Sequence, residues 1–461
     1  MLNTIKISMQ KNITLIGAGL VGSLLSMYLA KRGHKVDIFE KRSDMRKAGY
    51  VGGRSINLAL SHRGFNGLAA LGLEEEIRKV GIPMYGRVIH QLNGDVQYQA
   101  YGKEDEAIYS VSRGGLNKRL IELADENENI NIHFDQRCFD MDIKNAIAHF
   151  EHNDSKEIKE VKSDAILSAD GAFSAARLAL QTKTDRFEYS QHYIDHGYKE
   201  LTIPAGENGT FLIEKNALHI WPRSNYMLIA LPNLDGSFTC TLFFPFDGDT
   251  SFNSLKTREQ VAEFFNTQFA DVVKMIPNVV DEYMENPTSS LVTVRSFPWS
   301  YSDKLCLMGD ASHAIVPFFG QGMNAGFEDC FEFGKMLDKH GDNWEAMFKD
   351  FEKVRKPNAD AIADMALENF IEMRDKVADQ KFLLRKKIEA KLNKKYPDQY
   401  VSKYSLVSFS TKPYSYALEM GYRQDALFQK ILAIPNIENV WDSAEVEMKY
   451  EELLREFNFI K

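Results

Sequence analysis

Gly17-Ala18-Gly19-Leu20-Val21-Gly22 is a G-x-G-x-x-G run. Such spacing does chemistry only where a strand turns into a helix. Gly17 then permits the tight turn, Gly19 lets backbone approach a pyrophosphate, and Gly22 lets helix and strand pack closely. The first helical turn offers unpaired N–H groups and a positive dipole end to phosphate. About 20 residues further on, Glu40 stands where a carboxylate binds the two hydroxyls of a ribose. The run therefore predicts a bound dinucleotide, with Glu40 favouring an unphosphorylated adenosine ribose as in FAD or NAD. Arg42 is placed to meet a 2′-phosphate, or to act as a solvated arginine or phosphate contact.

Two further segments carry Asp/Gly pairs after apolar runs, Asp164–Arg177 (DAILSADGAFSAAR) and Leu305–Cys330 (LCLMGDASHAIVPFFGQGMNAGFEDC). In the latter a strand should end at Gly309-Asp310 and a helix begin near Gln321-Gly322. Gly320 and Gly322 let backbone approach a flat ring, and the helix N-terminus can stabilise negative charge on it. His313 follows closely, either as an acid/base group or in a cap or packing role.

Candidate recognition residues lie elsewhere. Arg87 is either a surface charge or a planar fork suited to a carboxylate. If Asn93–Asp95 form a three-residue loop, Leu92 faces Val96, and Arg87 faces Tyr101 on one side of a hairpin. A two-residue loop puts the two on opposite sides. Ile362, Met365, Ala366, Phe370 and Met373 form a helical apolar stripe, and Asn369 falls on it. An amide facing a core needs a partner, either backbone or a ligand. Tyr404 is either a packed core tyrosine or a hydroxyl donor at a carboxylate.

The positioning elements follow from pattern. Asn12–Ile16 and Lys35–Phe39 read as strands flanking a helix from about Leu20 to Arg32, stopped by Gly33. Gly86–Leu92 and Val96–Tyr101 read as a hairpin around Asn93-Gly94-Asp95. Asp164–Ala169 and Lys304–Met308 are further apolar strands. Tyr198–Ile203, Ala217–Trp221, Tyr226–Leu231 and Ser237–Phe244 read as an antiparallel sheet, and Thr257 with Gln260 as a capping box. From about Asn358 the chain is helical and charged. The expected fold class is α/β: a Rossmann-like dinucleotide-binding domain (1–180 and 290–357), an antiparallel β-sheet substrate domain (181–289) and a C-terminal helical region (358–461). Hairpin 86–101 is expected to contribute to the substrate site.

Composition narrows the function classes. The chain has 461 residues and a net charge of −9, which argues against nucleic acid as the main partner. Cys138, Cys240, Cys306 and Cys330 are too widely spaced for a zinc site and fit reduced thiols. No stretch before Asn12 reads as a signal peptide, and no apolar run is long enough for a membrane span. The expectation is a soluble, cytoplasmic protein without a membrane anchor.

The Asp164–Arg177 and Leu305–Cys330 segments resemble the second and third fingerprints of the flavoprotein aromatic hydroxylases. Ser55–Gly64 (SINLALSHRG), Tyr189–Pro204 (YSQHYIDHGYKELTIP), Leu218–Arg223 (LHIWPR), the VPFFGQGMNAGFEDC run and Asn369–Arg374 (NFIEMR) are similar to the kynurenine 3-monooxygenase family. That resemblance runs from about Asn12 to about Tyr416. It implies noncovalent FAD, transient NADPH, dioxygen, and hydroxylation of L-kynurenine to 3-hydroxy-L-kynurenine through a flavin hydroperoxide. No protein base is implied, because the substrate's own amine supplies electron density. Flavin contacts are implied at Val21, Phe39, Glu40, Lys41, Arg42, Ala59, Arg113, Cys138, Asp310, Met323 and Asn324, beside the glycines Gly17, Gly19 and Gly22. Substrate contacts are implied at Arg87, Tyr101, Asn369 and Tyr404, with Pro317, Phe318 and Phe319 as the wall near the reacting ring. Eukaryotic members carry an apolar C-terminal anchor, whereas Arg423–Lys461 is too polar to span a bilayer.

Overall fold

The computed structural model describes residues 9–47, 57–376 and 379–460, so Ser55 and Ile56 of the SINLALSHRG segment lie outside the described residues. The chain divides into two units. The first comprises residues 1–82, 109–194 and 290–363, and the second 83–108, 195–289 and 364–461.

The first unit is built on a parallel sheet. Asn12–Ile16 lies at its centre, paired on one side with Lys35–Phe39 and on the other with Ala165–Ser168. Ile130–His133 and Leu305–Leu307 extend it in parallel, and Ser300–Tyr301 closes one edge antiparallel. Strands buried on both faces read as continuous apolar runs, which is why NITLI and AILS were legible. Because the strands are parallel, Ile16, Phe39, Ser168 and Leu307 all end at the same edge. The residues that follow each of them are gathered there, at the point where the strand order reverses. The helix after the glycine run spans Leu20–Ala30, two residues shorter than the pattern suggested, with positive φ at Gly33. A separate three-stranded sheet, Gln136–Asp142, Ile147–His152 and Ile158–Lys162, carries Cys138.

In the second unit the sheet order is His196–Ile203 (part of the longer strand Glu188–Ile203), Phe238–Pro245, Tyr226–Pro232, Ala217–Arg223, Gly86–His90, Val96–Ala100. It is antiparallel as expected except at one seam, where Gly86–His90 runs parallel to Ala217–Arg223. The helices Arg258–Gln268, Ala270–Val273 and Val279–Glu285 cover one face, burying Phe264, Phe265, Val272 and Tyr283 against Trp221, Leu242 and Phe244. The Thr257–Gln260 capping box is present, with both reciprocal hydrogen bonds. On the other face Ile89 packs with Phe382 from the helix Gln380–Lys395. No helix among the described residues is long and apolar enough to cross a membrane.

Candidate functional site

In the first unit the glycine run has the geometry its spacing requires. Gly17 sits at φ +97°, and a Cβ there would come within 2.7 Å of the Ala169 carbonyl oxygen. A Cβ at Gly22 would fall 1.9 Å from the Gly17 oxygen, so this glycine is needed for packing alone. A Cβ at Gly19 would meet nothing within 4 Å, so its backbone is open to approach. That contrast within one hexapeptide fits a pyrophosphate-binding turn.

Glu40 is buried, and its carboxylate is already engaged. Oε2 accepts from Ala18 N–H at 2.8 Å, and Oε1 from Arg42 N–H at 2.9 Å and Arg42 Nε at 2.8 Å. Burial works against ionisation, but the Arg42 guanidinium and the two backbone N–H groups outweigh it and hold the carboxyl below its usual range. A carboxylate offers about four acceptor positions. The fourth here takes only a long 3.4 Å contact from Arg42, so a ribose hydroxyl would compete with that arm.

The Gly309 turn, at the same edge of the sheet, is organised by Asp329, which is fully buried. Its Oδ2 accepts from Gly309 N–H at 3.0 Å and lies 2.7 Å from His313 Nε2, while Oδ1 accepts from Arg355 Nε at 2.6 Å. Arg355 also pairs with Glu328, which in turn pairs with the buried Arg63. Burial opposes the charge on Asp329, but His313 and Arg355 prevail and lower its pKa. The network fixes the Gly309 turn, at φ +56°, and leaves Asp310 exposed as the first residue of the turn Asp310–His313. His313 is thus a buried clamp of that turn. Val21 fills the space that side chains at Gly309 and Gly326 would need.

The other expected flavin residues divide by what their side chains can still do. Asn324 is consumed as a pin: Oδ1 accepts from Ser61 N–H at 2.9 Å, and Nδ2 donates to the Ala59 and Gly320 carbonyls at 2.8 Å each. Any contact it makes to a ring is through backbone. Met323 is buried, Gly320 is left-handed at φ +67°, and Pro317–Phe319 form a 3-10 turn with both phenylalanines buried. Arg113 is exposed at the start of the helix Arg113–Asp125, capped by Ser112. Phe39 is buried, with its ring stacked on Phe150 and His133. Lys41 is exposed and its carbonyl accepts from Asn153. Burial pushes the Cys138 thiol up to about 12, so no thiolate chemistry is expected of it. Arg177, quoted in the second fingerprint without a role, donates to the Ala172 carbonyl at 2.5 Å and the Ala311 carbonyl at 2.8 Å, tying the two Asp/Gly turns together.

In the second unit the hairpin register is now visible. Arg87 pairs with Gln99, and His90 with Val96. Gln91 N–H donates to the Asp95 carbonyl at 2.9 Å, so the loop is Leu92-Asn93-Gly94, one residue earlier than the three-residue loop considered above. Gly94, at φ +90°, supplies the left-handed third position, and Asn93 Oδ1 accepts from Asp95 N–H. Arg87 therefore faces Tyr101 diagonally. A shift of two residues in pairing keeps both side chains on one face.

Tyr101 and Tyr404 stack at 5.1 Å, and the Arg87 guanidinium carbon is 5.9 Å and 6.0 Å from their two ring centres. Burial pushes both phenols up, and Arg87 opposes that rise in each. Among the described residues no carboxylate comes within salt-bridge distance of Arg87. Asn369 is half-buried, and its Nδ2 reaches Met373 Sδ at 3.3 Å, a weak acceptor. The apolar stripe Ile362, Met365, Ala366, Phe370 and Met373 is buried throughout. Pattern reading missed Glu372, half-buried where the helix Trp344–Ile371 widens into a π-helical turn, Glu372–Lys376. Burial resists its charge, but Lys386, Arg87 and Lys403 lower its pKa on balance. Only the widened turn singles it out, and such turns recur at functional sites.

Known proteins match this chain over most of its length. An FAD binding domain family model matches residues 10–366. The kynurenine 3-monooxygenase of Christiangramia forsetii is 49% identical over 446 residues, covering 97% of this chain and 99% of the relative. That of Dictyostelium discoideum is 48% identical, covering 92% and 94%. Among solved structures, a tetrameric 2-methyl-3-hydroxypyridine-5-carboxylic acid oxygenase superposes with TM-score 0.66 at 17% identity, covering 84% of this chain and 98% of that one. The tetracycline destructase Tet(51) follows the same fold, at TM-score 0.58 and 17% identity over 83% of this chain and 98% of that one.

Proposed function

Since the chain belongs to the kynurenine 3-monooxygenase family of FAD-binding flavoproteins, we propose that it hydroxylates L-kynurenine at the ring carbon beside the amine, using NADPH and dioxygen. The observation that carries the substrate reading is Arg87, a half-buried guanidinium flanked by two tyrosine rings with no carboxylate of its own. A fork so placed suits the carboxylate of an amino acid, and Tyr101, Tyr404 and Asn369 add donors on the same unit. Glu372 carries the charge that an α-ammonium group requires.

FAD, when bound, supplies the redox and oxygen-transfer chemistry. The first unit's residues hold and orient it: the Gly17–Gly22 turn and its helix for the pyrophosphate, Glu40 for the ribose, Asp310 for the ribityl chain. Arg113, Cys138, Ala59, Met323 and Asn324 are assigned to its ring and flanks. No side chain is assigned as a base, because the substrate's aromatic amine activates its own ring. We place the protein in the cytoplasm, a reading supported by its net charge of −9 and its four free thiols. Cell fractionation tests that placement.

The deciding experiment mixes the FAD-loaded protein with NADPH and L-kynurenine in air. Stoichiometric 3-hydroxy-L-kynurenine is the expected product. NADPH consumption without a hydroxylated product, or turnover only with phenolic acids, would overturn the reading.

A further inference from the structure

Ser402, Ser405, Ser408 and Ser410 stand in the segment that carries Tyr404, and all but Ser408 have settled hydrogen bonds. Ser402 caps the short helix Lys403–Ser408, its Oγ accepting from Ser405 N–H at 3.1 Å and donating to Ser405 Oγ at 3.0 Å. Ser410 Oγ donates to the Leu406 carbonyl at 2.6 Å, a common outlet for a serine hydroxyl at a helix. Ser408 has no such outlet. It is 1% exposed, and its Oγ has no hydrogen-bond partner among the described residues. A buried hydroxyl left unmatched is costly, and folded proteins keep few of them.

The position of Ser408 says what it can reach. It follows Tyr404 by four residues on one helix, so the two side chains share a face. The Tyr404 ring stacks on Tyr101 at 5.1 Å, with the Arg87 guanidinium carbon 6.0 Å from its centre. The Tyr101 hydroxyl is a second buried group with no hydrogen-bond partner among the described residues. Neither hydroxyl completes a bond, yet both are near enough to act on the Tyr404 phenol. Burial raises its pKa, and Arg87, Ser408 and Tyr101 all oppose the rise. Neighbouring hydroxyls have that effect when they offer hydrogen to the phenol oxygen. Two unmatched hydroxyls thus lie beside one phenol, next to an arginine without a carboxylate.

We propose that Ser408 is a positioning residue for Tyr404: its hydroxyl gives its hydrogen to the phenol oxygen when an amino-acid substrate is bound, and so turns the phenol hydrogen toward the substrate carboxylate. A phenol oxygen has one hydrogen to give and lone pairs to accept with. Accepting from Ser408 fixes the side on which the lone pair lies. It also strengthens the phenol as a donor, because hydrogen bonds in a chain polarise one another. The chain runs from Ser408 through Tyr404 to the carboxylate, which Arg87 holds with its fork. Ser408 touches no substrate atom. The proposal rests on Arg87 marking the carboxylate subsite.

The test measures dissociation constants of the FAD-loaded protein for L-kynurenine and for its decarboxylated analogue. Ser408→Ala should weaken L-kynurenine binding about fivefold, the worth of one neutral hydrogen bond, and leave the analogue within about twofold of its original affinity. In a Tyr404→Phe background Ser408→Ala should add nothing, because its target is gone. Should Ser408→Ala not hold FAD, Ser408→Cys, a weak donor of similar shape, reads the same loss. A Ser408→Ala protein that binds L-kynurenine normally, loses both ligands equally, or loses affinity whether or not the Tyr404 hydroxyl is present would overturn the proposal. Arg87→Ala is measured beside it. If Arg87→Ala loses the preference for the acid while Ser408→Ala keeps it, only the positioning role fails. If Arg87→Ala binds L-kynurenine normally, the carboxylate reading fails and this proposal with it.

Discussion

Arg87 and Tyr101 occupy one face of the same hairpin as diagonal neighbours, the guanidinium carbon 5.9 Å from the ring centre, while Gln99 sits directly opposite the arginine. On the proposed reading, the carboxylate of an amino acid would take its fork from Arg87 and hydroxyl donors from Tyr101 and Tyr404.

Arg87→Ala should therefore weaken L-kynurenine binding by about 2–4 kcal/mol, the cost of losing a charge-assisted hydrogen bond in a desolvated site. Arg87→Lys should also be damaging, since a point charge cannot reproduce the fork. Flavin content should stay normal. Titrations with L-kynurenine and its decarboxylated analogue check the point, with the preference for the acid lost in Arg87→Ala.

Glu372→Gln tests the other end of the amino acid. The carboxyl is held below its ordinary range, its burial outweighed by Lys386, Arg87 and Lys403, so its charge is present throughout neutral pH. Binding of L-kynurenine should fall about tenfold. Binding of an analogue lacking the α-amino group should change little, which equilibrium titration of the two ligands measures.

Gly19→Ala and Gly22→Ala should fail in different ways. A methyl at Gly22 would overlap the Gly17 carbonyl, whereas one at Gly19 meets no protein atom within 4 Å. Gly22→Ala is expected to lower the melting temperature even without flavin. Gly19→Ala should melt like the unaltered apoprotein but bind FAD weakly, as flavin fluorescence quenching would report.

Asp329→Ala should cost about 3–5 kcal/mol, because Arg355 and His313 are left buried without their carboxylate. The sign of its pH dependence is fixed by the direction of its shift. A lowered folded-state pKa contributes stability above the ordinary carboxylate value of about 4, lost as pH falls through the depressed one. Melting midpoints should thus differ between the two proteins by a constant amount from pH 6 to 8 and converge in acid. FAD affinity should drop as well, since the Gly309 turn loses its acceptor.

FAD should leave the polypeptide on acid precipitation. Cys138, itself an assigned flavin contact, has its thiol pushed up to about 12, and His313 is committed to Asp329. Absorbance of the supernatant at flavin wavelengths checks this, and yellow colour retained in the washed pellet would contradict it.

Local chemistry was enough to read the Gly17–Gly22 turn, the strands around it, the Thr257 cap and the buried stripe from Ile362 to Met373, because each depends on residues within one or two turns of each other. The sequence also placed Glu40 and Asp310 at strand ends. What it could not supply were relationships across hundreds of positions. Asp329 as the anchor of Gly309, Asn324 as a pin to Ala59, and Arg177 as the tie between two turns are set by packing of distant segments. The hairpin register turned on where one glycine falls in the loop, and pattern alone left Arg87 and Tyr101 on the same or opposite faces. Gly94 in the left-handed region decided it. The parallel seam between Gly86–His90 and Ala217–Arg223 joins strands over a hundred residues apart. No periodicity within either strand encodes its partner, and only the folded chain brings His90 to His219.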